Sequence, residues 1–290
     1  MPRIAITLGD PAGIGPEVIE RALASGKIPS DWEIEILGDR SAGTPGKPDA
    51  RSAAAALDAL EQAVTALKEG RADAVVTGPV CKDGLQSIGF PFPGQTEYFA
   101  HAFGVEDFGM LLTGSKLTVG LATIHEPLAS VPELLTAESI TRIGLLVAGF
   151  LKRRGMEAPR IAVAGLNPHA GENGAFGDEE TRIISPAINR LAASGTGIFS
   201  GPAVPDAVFR DAARGQFDAV IAMYHDQGLI PLKLHAFDSG VNVTLGLPCP
   251  RTSPDHGTAF DIAGRGLARP DSMIAAINLA AELVKKNPAR

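Results

Sequence analysis

The chain has 290 residues, of which 45% are hydrophobic and 5% aromatic, and its formal net charge is −7. The length suits one large or two medium domains, and an acidic chain without a long basic run argues against nucleic acid as the main partner. No apolar stretch reaches the roughly 18–20 residues of a membrane span. No charged-then-apolar leader follows Met1 and no CxxC pattern joins the two cysteines, so a reduced, cytoplasmic protein is expected.

Strand-like and helix-like segments alternate along the chain. Apolar runs predict strands at residues 3–8, 33–38, 72–77, 117–124, 160–168, 217–224 and 240–248. Apolar residues at helical spacing predict helices at residues 17–24, 52–69, 136–152, 179–194 and 270–286. This alternation predicts mainly parallel strands with helices on both faces.

The predicted fold class is α/β, with two α/β/α lobes, mainly parallel sheets and an active-site cleft between the lobes. No linker composition marks a boundary between them. Length and motifs suggest that residues 1–122 plus 252–290 form a first lobe that carries both termini. Residues 123–251 would then form the second lobe.

Three histidines, His125, His169 and His225, each follow one of the apolar runs. In open α/β sheets, ligands bind outside the carboxyl ends of the strands. Imidazoles from three strands could therefore converge on one divalent metal and leave a coordination position open for substrate. Imidazole suits Zn²⁺ or Co²⁺, whereas Mg²⁺ more often recruits carboxylates. The alternative is that each histidine caps a strand or fills a polar gap.

The opening turn at residues 9–17 is rich in glycine but departs from the dinucleotide fingerprint. Position 18 is Val where the third glycine would stand, and Pro16 takes a place where a helix should present a free N–H. Two readings stay open for this turn. It is either a backbone-lined approach to a ligand or a tight structural turn.

Polar and charged residues after other strands suggest an anion clamp. Lys233, Asn242 and Arg251 flank a Gly- and Asn-containing strand, and Lys and Arg together could hold a phosphate or a carboxylate. Gln95 and Thr96 add hydrogen-bonding groups after a Pro-rich loop. The alternative for each charged residue is an ordinary solvated surface position.

Four motifs in order resemble the 4-hydroxythreonine-4-phosphate dehydrogenase family of pyridoxal phosphate biosynthesis. They are GDPAGIGPE at 9–17, NPHAGE at 167–172, YHDQG at 224–228 and RTSPDHGTA at 251–259. The resemblance runs from about residue 3 to residue 285 and implies an isocitrate/isopropylmalate dehydrogenase-like fold. It also implies NAD(P)-linked oxidation of 4-phosphohydroxy-L-threonine, followed by decarboxylation to 3-amino-2-oxopropyl phosphate.

By that resemblance, His125, His169 and His225 would bind a divalent metal (Zn, Co or Mg). Lys233, Asn242, Arg251 and Thr96, with Gln95 beside them, would hold a small phosphorylated hydroxy acid. The resemblance further implies a homodimer with the active site near the interface, where one metal ligand comes from the partner subunit. No nucleic-acid or membrane partner is expected.

A second resemblance concerns the cofactor. Residues 255–266 are similar to the adenine-side loop of isopropylmalate and isocitrate dehydrogenases, which bind NAD or NADP without the usual glycine fingerprint. The resemblance implies that His256, Gly257, Thr258 and Asp261 contact the dinucleotide. The metal of those enzymes is held by aspartates, so only the loop and the fold carry over.

The chain departs from the first family at one substrate position and in one segment. Gln95 stands where the family has His, and Gln can hydrogen-bond but cannot accept a proton as a base. The segment after the second strand is also shorter than is usual in the family. These departures leave open a related dehydrogenase of a four-carbon acid-sugar phosphate (4-phosphoerythronate or threonate type) or of a dihydrodiol dicarboxylate.

The oxidation also needs a group that accepts the proton of the substrate hydroxyl. Asp226, Lys82 and metal-bound solvent are candidates, and Asp226 could alternatively orient the ring of His225. Two other classes of function are a metal-dependent hydrolase and a non-catalytic sugar-phosphate or metal-binding protein. A hydrolase would have no need of the adenine-side loop.

Overall fold

The structure is a computed structural model, which describes residues 1–286. The chain divides into two compact units: unit 1 is Met1–Glu106 with the described residues from Val241 onward, and unit 2 is Asp107–Gly240. The chain leaves unit 1 once and returns to it, but the boundaries differ from the predicted ones. Residues 107–122 lie in unit 2 and residues 241–251 lie in unit 1.

Strand pairing explains both differences. Residues 109–113 form a strand that pairs with the strand at 118–121, so this hairpin stays within unit 2. Residues 241–245 pair with the strand at 251–254, so the returning chain joins unit 1 earlier than the sequence suggested.

Unit 1 contains five strands and five helices among its described residues. The strands are β1 (Arg3–Thr7), β2 (Glu33–Leu37), β3 (Ala74–Thr77), β9 (Val241–Leu245) and β10 (Arg251–Pro254). The helices are α1 (Gly15–Ala24), α2 (Ala50–Lys68), α3 (Lys82–Ser87), α4 (Gln95–Phe103) and α10 (Asp271–Lys285). The strand order is β2-β1-β3-β10-β9, parallel except for the antiparallel pair β10–β9.

Local sequence explains where the unit 1 helices begin. The Asp49 side chain accepts a hydrogen bond from the Ser52 N–H while the Ser52 hydroxyl bonds back to the Asp49 N–H, which satisfies two amides at the start of α2. Pro16 stands in the first turn of α1, where a missing N–H costs nothing. Ala5, Val75, Leu60 and Phe99 belong to a core between the sheet and α2 and α4.

Unit 2 repeats the architecture with another five strands and five helices. The strands are β4 (Gly109–Thr113), β5 (Thr118–Leu121), β6 (Arg160–Ala164), β7 (Ile198–Ala203) and β8 (Ala219–Ala222). The helices are α5 (Val131–Leu134), α6 (Ala137–Arg153), α7 (Ser185–Ala193), α8 (Pro205–Ala213) and α9 (His225–Ala236). The strand order is β4-β5-β8-β6-β7, and only the pair β4–β5 is antiparallel. The predicted α/β class with mainly parallel strands is confirmed.

The sequence analysis did not predict β4, β7, α5 or α8, and two further segments of unit 2 differ from the prediction near candidate site residues. The predicted helix at 179–194 is a π-helical turn, Glu180–Ile184, followed by α7. Helix α9 was not predicted, because Gly228 and Pro231 interrupt its sequence with residues that disfavour helix interiors. Both differences lie next to a candidate site residue.

Within residues 1–286, no single helix has the length and the apolar composition of a membrane span. The segments Leu128–Leu134 and Ala137–Arg153 meet that test only as a pair, with a bend of 94° between them.

Candidate functional site

The glycine-rich turn after β1 is packed against other backbone segments. Gly9 has φ +73°, and a Cβ there would lie 2.2 Å from the Pro79 carbonyl oxygen, so only glycine fits. The Ile14 N–H donates to the Thr258 carbonyl oxygen at 2.9 Å, which ties the turn to the 255–266 loop. Of the two readings left open for this turn, these contacts favour the structural one.

A polar cluster in unit 1 is built on the antiparallel pair β9–β10. Arg251 pairs with Thr244, and Ser253 pairs with Asn242. Because side chains alternate across a strand, Arg251, Thr244 and Asn242 lie on the same face of the sheet. The sequence suggested a Lys and an Arg flanking this strand, and the register shows that Arg251 lies within the sheet.

The Arg251 guanidinium is the centre of this cluster. Its residue is only 3% exposed, and it donates hydrogen bonds to the hydroxyls of Thr244 and Thr77 and, at 2.9 Å, to Gln95 Oε1. Burial lowers the pKa of Arg251 to about 10, and the negative charge of Glu97 acts in the opposite direction. The side chain therefore keeps its positive charge at neutral pH while all three of these hydrogen-bond partners are neutral.

Two atoms of the cluster have unused hydrogen-bonding capacity. Arg251 Nε and Asn242 Oδ1 are buried and have no hydrogen-bond partner within residues 1–286. An unsatisfied buried polar atom costs about 1–3 kcal/mol, and such atoms in native structures often face a ligand site. Thr96 is also buried, and its hydroxyl lies 3.3 Å from that of Thr244.

Gln95 contributes to the cluster by holding Arg251. Its Oε1 accepts the bond from Arg251, and its Nε2 donates to the Gly78 carbonyl oxygen at 3.3 Å. Both ends of the amide are therefore used within unit 1. Lys82 is exposed at the start of α3, with its Cε 3.9 Å from the position a Cβ would take at Gly94.

Lys233 belongs to a different unit from the residues of this cluster. It lies half-buried on α9 of unit 2, whereas Gln95, Thr96, Asn242 and Arg251 belong to unit 1. The candidate substrate residues are thus divided between the units.

The candidate cofactor loop follows β10. His256 Nδ1 lies 3.1 Å from the Gly257 carbonyl oxygen, and His256 Nε2 is buried without a hydrogen-bond partner in the described part of the chain. Gly257 and Asp261 are exposed, and Thr258 is half-buried. The loop offers an unused ring nitrogen and accessible polar groups, which are what a dinucleotide would need.

The three histidines lie beyond the strands rather than at their last residues. His125 is in the loop after β5, His225 is the first residue of α9 after β8, and His169 lies in a helical turn, Pro168–Gly174, after β6. The order β5-β8-β6 makes the three strands neighbours in one sheet.

The structure brings two of these histidines together. The ring centroids of His125 and His225 are 5.4 Å apart, whereas His169 packs against Phe176 with a centroid distance of 6.1 Å. Among residues 1–286 of the single chain, no three His, Cys, Asp or Glu side chains form a group that could hold a metal. A complete three-histidine site within one chain, as the strand-end pattern suggested, is therefore not formed.

Asp226 lies beside His225. Its Oδ1 is 2.6 Å from His225 Nδ1, and its side chain is otherwise largely exposed. A proton on Nδ1 leaves the Nε2 lone pair of His225 for another partner. Of the two roles considered for Asp226, the geometry fits that of orienting the imidazole.

Side chains that the sequence analysis did not single out connect the histidine-bearing loops. The Thr123 hydroxyl donates to the Met223 carbonyl oxygen at 2.8 Å, which links the segments ahead of His125 and His225. Gln227 Oε1 accepts from the Met223 N–H at 2.6 Å, while its Nε2 donates to the Gly165 carbonyl oxygen at 2.7 Å. Gln227 lies in the YHDQG motif, so the motif itself was the signal, but its role depends on its hydrogen bond to Gly165, the residue after β6.

Comparisons with known proteins agree with the motifs. A family model described as "Pyridoxal phosphate biosynthetic protein PdxA" matches residues 17–280. The chain is 46% identical to a 4-hydroxythreonine-4-phosphate dehydrogenase of Erythrobacter litoralis over 322 aligned residues, covering 96% of each chain. It is 40% identical to a D-threonate 4-phosphate dehydrogenase of Pectobacterium atrosepticum, covering 97% of this chain and 98% of the relative.

Solved structures give the same result. The crystal structure of a 4-hydroxythreonine-4-phosphate dehydrogenase from Klebsiella pneumoniae matches with a TM-score of 0.82 and 39% identity, over 98% of this chain and all of that one. An isocitrate dehydrogenase from Methylococcus capsulatus, 15% identical, shares the fold with a TM-score of 0.52 over 99% of both chains. These matches, together with the four motifs in their order, show that the chain belongs to the PdxA family of pyridoxal phosphate biosynthetic proteins.

Proposed function

We propose that the chain catalyses NAD(P)-linked, divalent-metal-dependent oxidation of 4-phosphohydroxy-L-threonine, followed by decarboxylation to 3-amino-2-oxopropyl phosphate. Family membership and the names of the relatives support the dehydrogenase activity. The observation that carries the proposal in the structure is the buried Arg251, a charged group held by neutral hydrogen-bond partners with one N–H unused. A phosphate would supply the missing acceptor and the counter-charge.

The residues of unit 1 fit the phosphate end of this substrate. Arg251 and Thr96 would bind the phosphate oxygens, and Gln95 would keep the guanidinium in place. Asn242 Oδ1 is an acceptor that suits a hydroxyl or ammonium group of the substrate. Lys233, from unit 2, would add a second positive charge for the phosphate or the carboxylate. Fixing these groups fixes the carbon to be oxidised.

The chemistry of the donor set in unit 2 suits a divalent metal. His125 and His225 lie close enough for their rings to share one ion, and the Asp226 contact at Nδ1 leaves His225 Nε2 to face it. When bound, the metal polarises the substrate hydroxyl and the ketone derived from it, and the nicotinamide accepts the hydride. The 255–266 loop, with the unused His256 Nε2, would hold the dinucleotide.

Electron and proton balance follow from this arrangement. The secondary alcohol loses its hydroxyl proton and a hydride, giving a 3-oxo acid that retains its amino group and phosphate. This β-keto acid then loses CO₂ and takes up a proton to give the aminoketone phosphate. Lys82 and Asp226 stay the side-chain candidates for the proton transfers, and the contact of Asp226 with His225 makes Lys82 the less constrained of the two.

A homodimer would complete the metal site. His169 does not join the other two histidines in the single chain, so His169 of the partner subunit would be the third ligand. An exposed apolar stripe supports association: Ile230 (61% exposed) and Leu234 (82%) lie on α9, and Phe237 (71%) follows it. These positions are spaced at helical intervals, and helix α9 begins with His225.

A second substrate is favoured by one relative. The D-threonate 4-phosphate dehydrogenase aligns over nearly the whole chain, and D-threonate 4-phosphate differs from the first substrate in carrying a hydroxyl where that has an amino group. Arg251 and Thr96 would bind the phosphate of either compound. The discriminating residues are therefore those that face the C2 substituent, of which Asn242 is the candidate in unit 1.

The test is NADH or NADPH formation with a panel of substrates. The panel contains 4-phosphohydroxy-L-threonine, D-threonate 4-phosphate, 4-phosphoerythronate, unphosphorylated 4-hydroxythreonine and a dihydrodiol dicarboxylate, each with Zn²⁺, Co²⁺, Mg²⁺ or a chelator. The proposal expects the highest kcat/KM with 4-phosphohydroxy-L-threonine, loss of rate in chelator and release of CO₂. Turnover of the dihydrodiol with none of the phosphates would contradict the phosphate-binding role of Arg251.

A further inference from the structure

The segment that carries His169 has an unusual backbone. His169, Ala170, Glu172 and Asn173 have φ between 41° and 57°, the left-handed region that side chains disfavour. Gly171 between them has φ +80°. Consecutive residues with this conformation persist only where the surrounding structure holds them, and such backbone clusters at functional positions.

The carboxylate of Glu180 holds the start of this segment. Glu180 is 5% exposed and belongs to the π-helical turn ahead of α7. Its Oε1 accepts hydrogen bonds from the backbone N–H groups of Leu166 and Asn167, both at 2.8 Å, and its Oε2 accepts from Asn167 Nδ2 at 3.0 Å. One buried carboxylate therefore accepts hydrogen bonds from two successive backbone amides and from the side chain of the second residue.

The chain approaches this carboxylate closely on both sides of His169. A Cβ at Gly171 would lie 2.7 Å from Glu180 Oε2, and a Cβ at Gly165 would lie 3.2 Å from Glu180 Oε1. A side chain at Gly171 would displace the carboxylate or the loop. Glu180 thus contacts the loop before and after His169 and limits the positions its backbone can take.

We infer that Glu180 is a positioning residue for metal binding, which acts by holding the left-handed segment that presents His169. The inference rests on the proposed function, in which His169 is a metal ligand. Glu180 does not touch the metal or the substrate in this account. Its carboxylate fixes the backbone from 165 to 171 and so sets the orientation of the His169 imidazole. Because the loop is already ordered, metal binding carries no further entropic cost of ordering it.

The test is a double-mutant cycle on metal affinity. Co²⁺ is titrated into the metal-free full-length protein and followed by the visible absorption of the bound ion, for wild type, Glu180→Gln, His169→Ala and the double variant. Glu180→Gln should weaken Co²⁺ binding about 10- to 100-fold. In the His169→Ala background, the same substitution should cause no further loss, because the ligand that Glu180 positions is gone.

A matched control and a milder variant complete the experiment. Asp178→Asn removes the same charge from the same segment. The Asp178 side chain is exposed and forms an ion pair with Arg182, whereas the loop amides bind Glu180, so Co²⁺ affinity should be unchanged. If Glu180→Gln does not fold, as judged by circular dichroism, Asn167→Ala takes its place. That variant removes the side-chain bonds of Asn167 to Glu180 Oε2 and Glu179 Oε2 but keeps the two backbone N–H bonds to Glu180 Oε1. Its smaller loss should also disappear in the His169→Ala background.

The outcomes distinguish a failure of the Glu180 role from a failure of the proposed function. Equal losses in both backgrounds, or no loss at all, would overturn the role of Glu180 while leaving the proposed function intact. If His169→Ala bound Co²⁺ as tightly as wild type, the ligand assignment in the proposed function would fail, and the role of Glu180 would fail with it.

Discussion

The two units of the molecule place their candidate site residues by different means. In unit 1, Arg251, Thr244 and Asn242 lie on paired strands, and the register of β9 and β10 sets their spacing. In unit 2, the histidines lie on loops or at a helix start. Those segments are held by side-chain hydrogen bonds in which Thr123 donates, Glu180 accepts, and Gln227 does both.

This difference affects which substitutions each site can tolerate. A strand-borne cluster is positioned by the backbone of the sheet, so its binding strength depends on the side chains themselves. A loop-borne cluster depends on additional residues that never touch a ligand. We therefore expect ligand binding in unit 1 to be lost mainly by substitution of the residues that contact the ligand. In unit 2, substitution of the supporting residues should also impair binding.

The largest effect should come from the histidines of unit 2. His225→Ala and His169→Ala should each abolish metal-dependent turnover when purified alone. If His169 acts on the partner's histidine pair, mixing the two inactive variants through an unfolding and refolding step should restore about a quarter of wild-type activity, because half of the dimers are mixed and each carries one intact site. Activity that stays at zero, with mixed dimers shown by mass spectrometry, would show that His169 and His225 serve the same site from one subunit, which contradicts the contribution of His169 by the partner subunit.

The second-largest effect should come from the strand-borne cluster in unit 1. Arg251→Met should lower kcat/KM for the phosphorylated substrate about 1000-fold, since a buried charge that meets the phosphate is lost. The thermal midpoint should not fall, because replacing an uncompensated buried charge by an apolar side chain removes a desolvation cost. Steady-state kinetics and differential scanning calorimetry measure the two quantities. A large fall in the thermal midpoint would instead identify Arg251 as a structural residue.

A smaller effect should come from the link between β8 and β6. Gln227→Ala leaves the Met223 N–H and the Gly165 carbonyl oxygen without their partner, and should lower the free energy of unfolding by about 1–3 kcal/mol. Urea denaturation measures this change. Gln216→Ala is the matched control, because that side chain is exposed in the same unit, and it should change the free energy of unfolding by less than about 0.5 kcal/mol. Equal effects of the two substitutions would remove the supporting role of Gln227.

The smallest effect should come from Gln95, the position at which the resemblance in sequence implies a His in the family. Gln95→Leu removes the acceptor for one Arg251 N–H and should raise KM about fivefold to tenfold, which corresponds to one lost hydrogen bond. Gln95→His restores an acceptor nitrogen and should change KM by less than about threefold. Kinetics at neutral pH test both variants. A large gain in kcat with Gln95→His would show that a histidine at this position can transfer a proton in this chain, which the glutamine cannot do.

Much of the fold followed from local patterns in the sequence. The alternation of apolar runs with helical spacing predicted the α/β class and the helices at 52–69 and 136–152. In the structure, α2 and α6 form there, and the side chains of Asp49 and Thr136 cap their first turns. The motifs singled out the candidate site residues, including Arg251 and the histidines. These signals lie within short windows, so they can be read before the chain folds.

Contacts between distant segments decided the rest. The observed boundary between the units differs from the predicted one because β4 pairs with β5 and β9 pairs with β10. No shift in composition marks these pairings. The neighbours of Arg251, among them Thr77 and Gln95, come from elements far away in sequence.

The sequence by itself determined which residue types stand after which strands, because strand and turn propensities act locally. Only the tertiary structure decided that His125 and His225 form a pair without His169, and that Glu180 and Gln227 support their loops. The physical reason is that hydrogen bonds and burial depend on distances in space. A buried carboxylate such as Glu180 looks like any other acidic residue until the amides it binds have been brought to it.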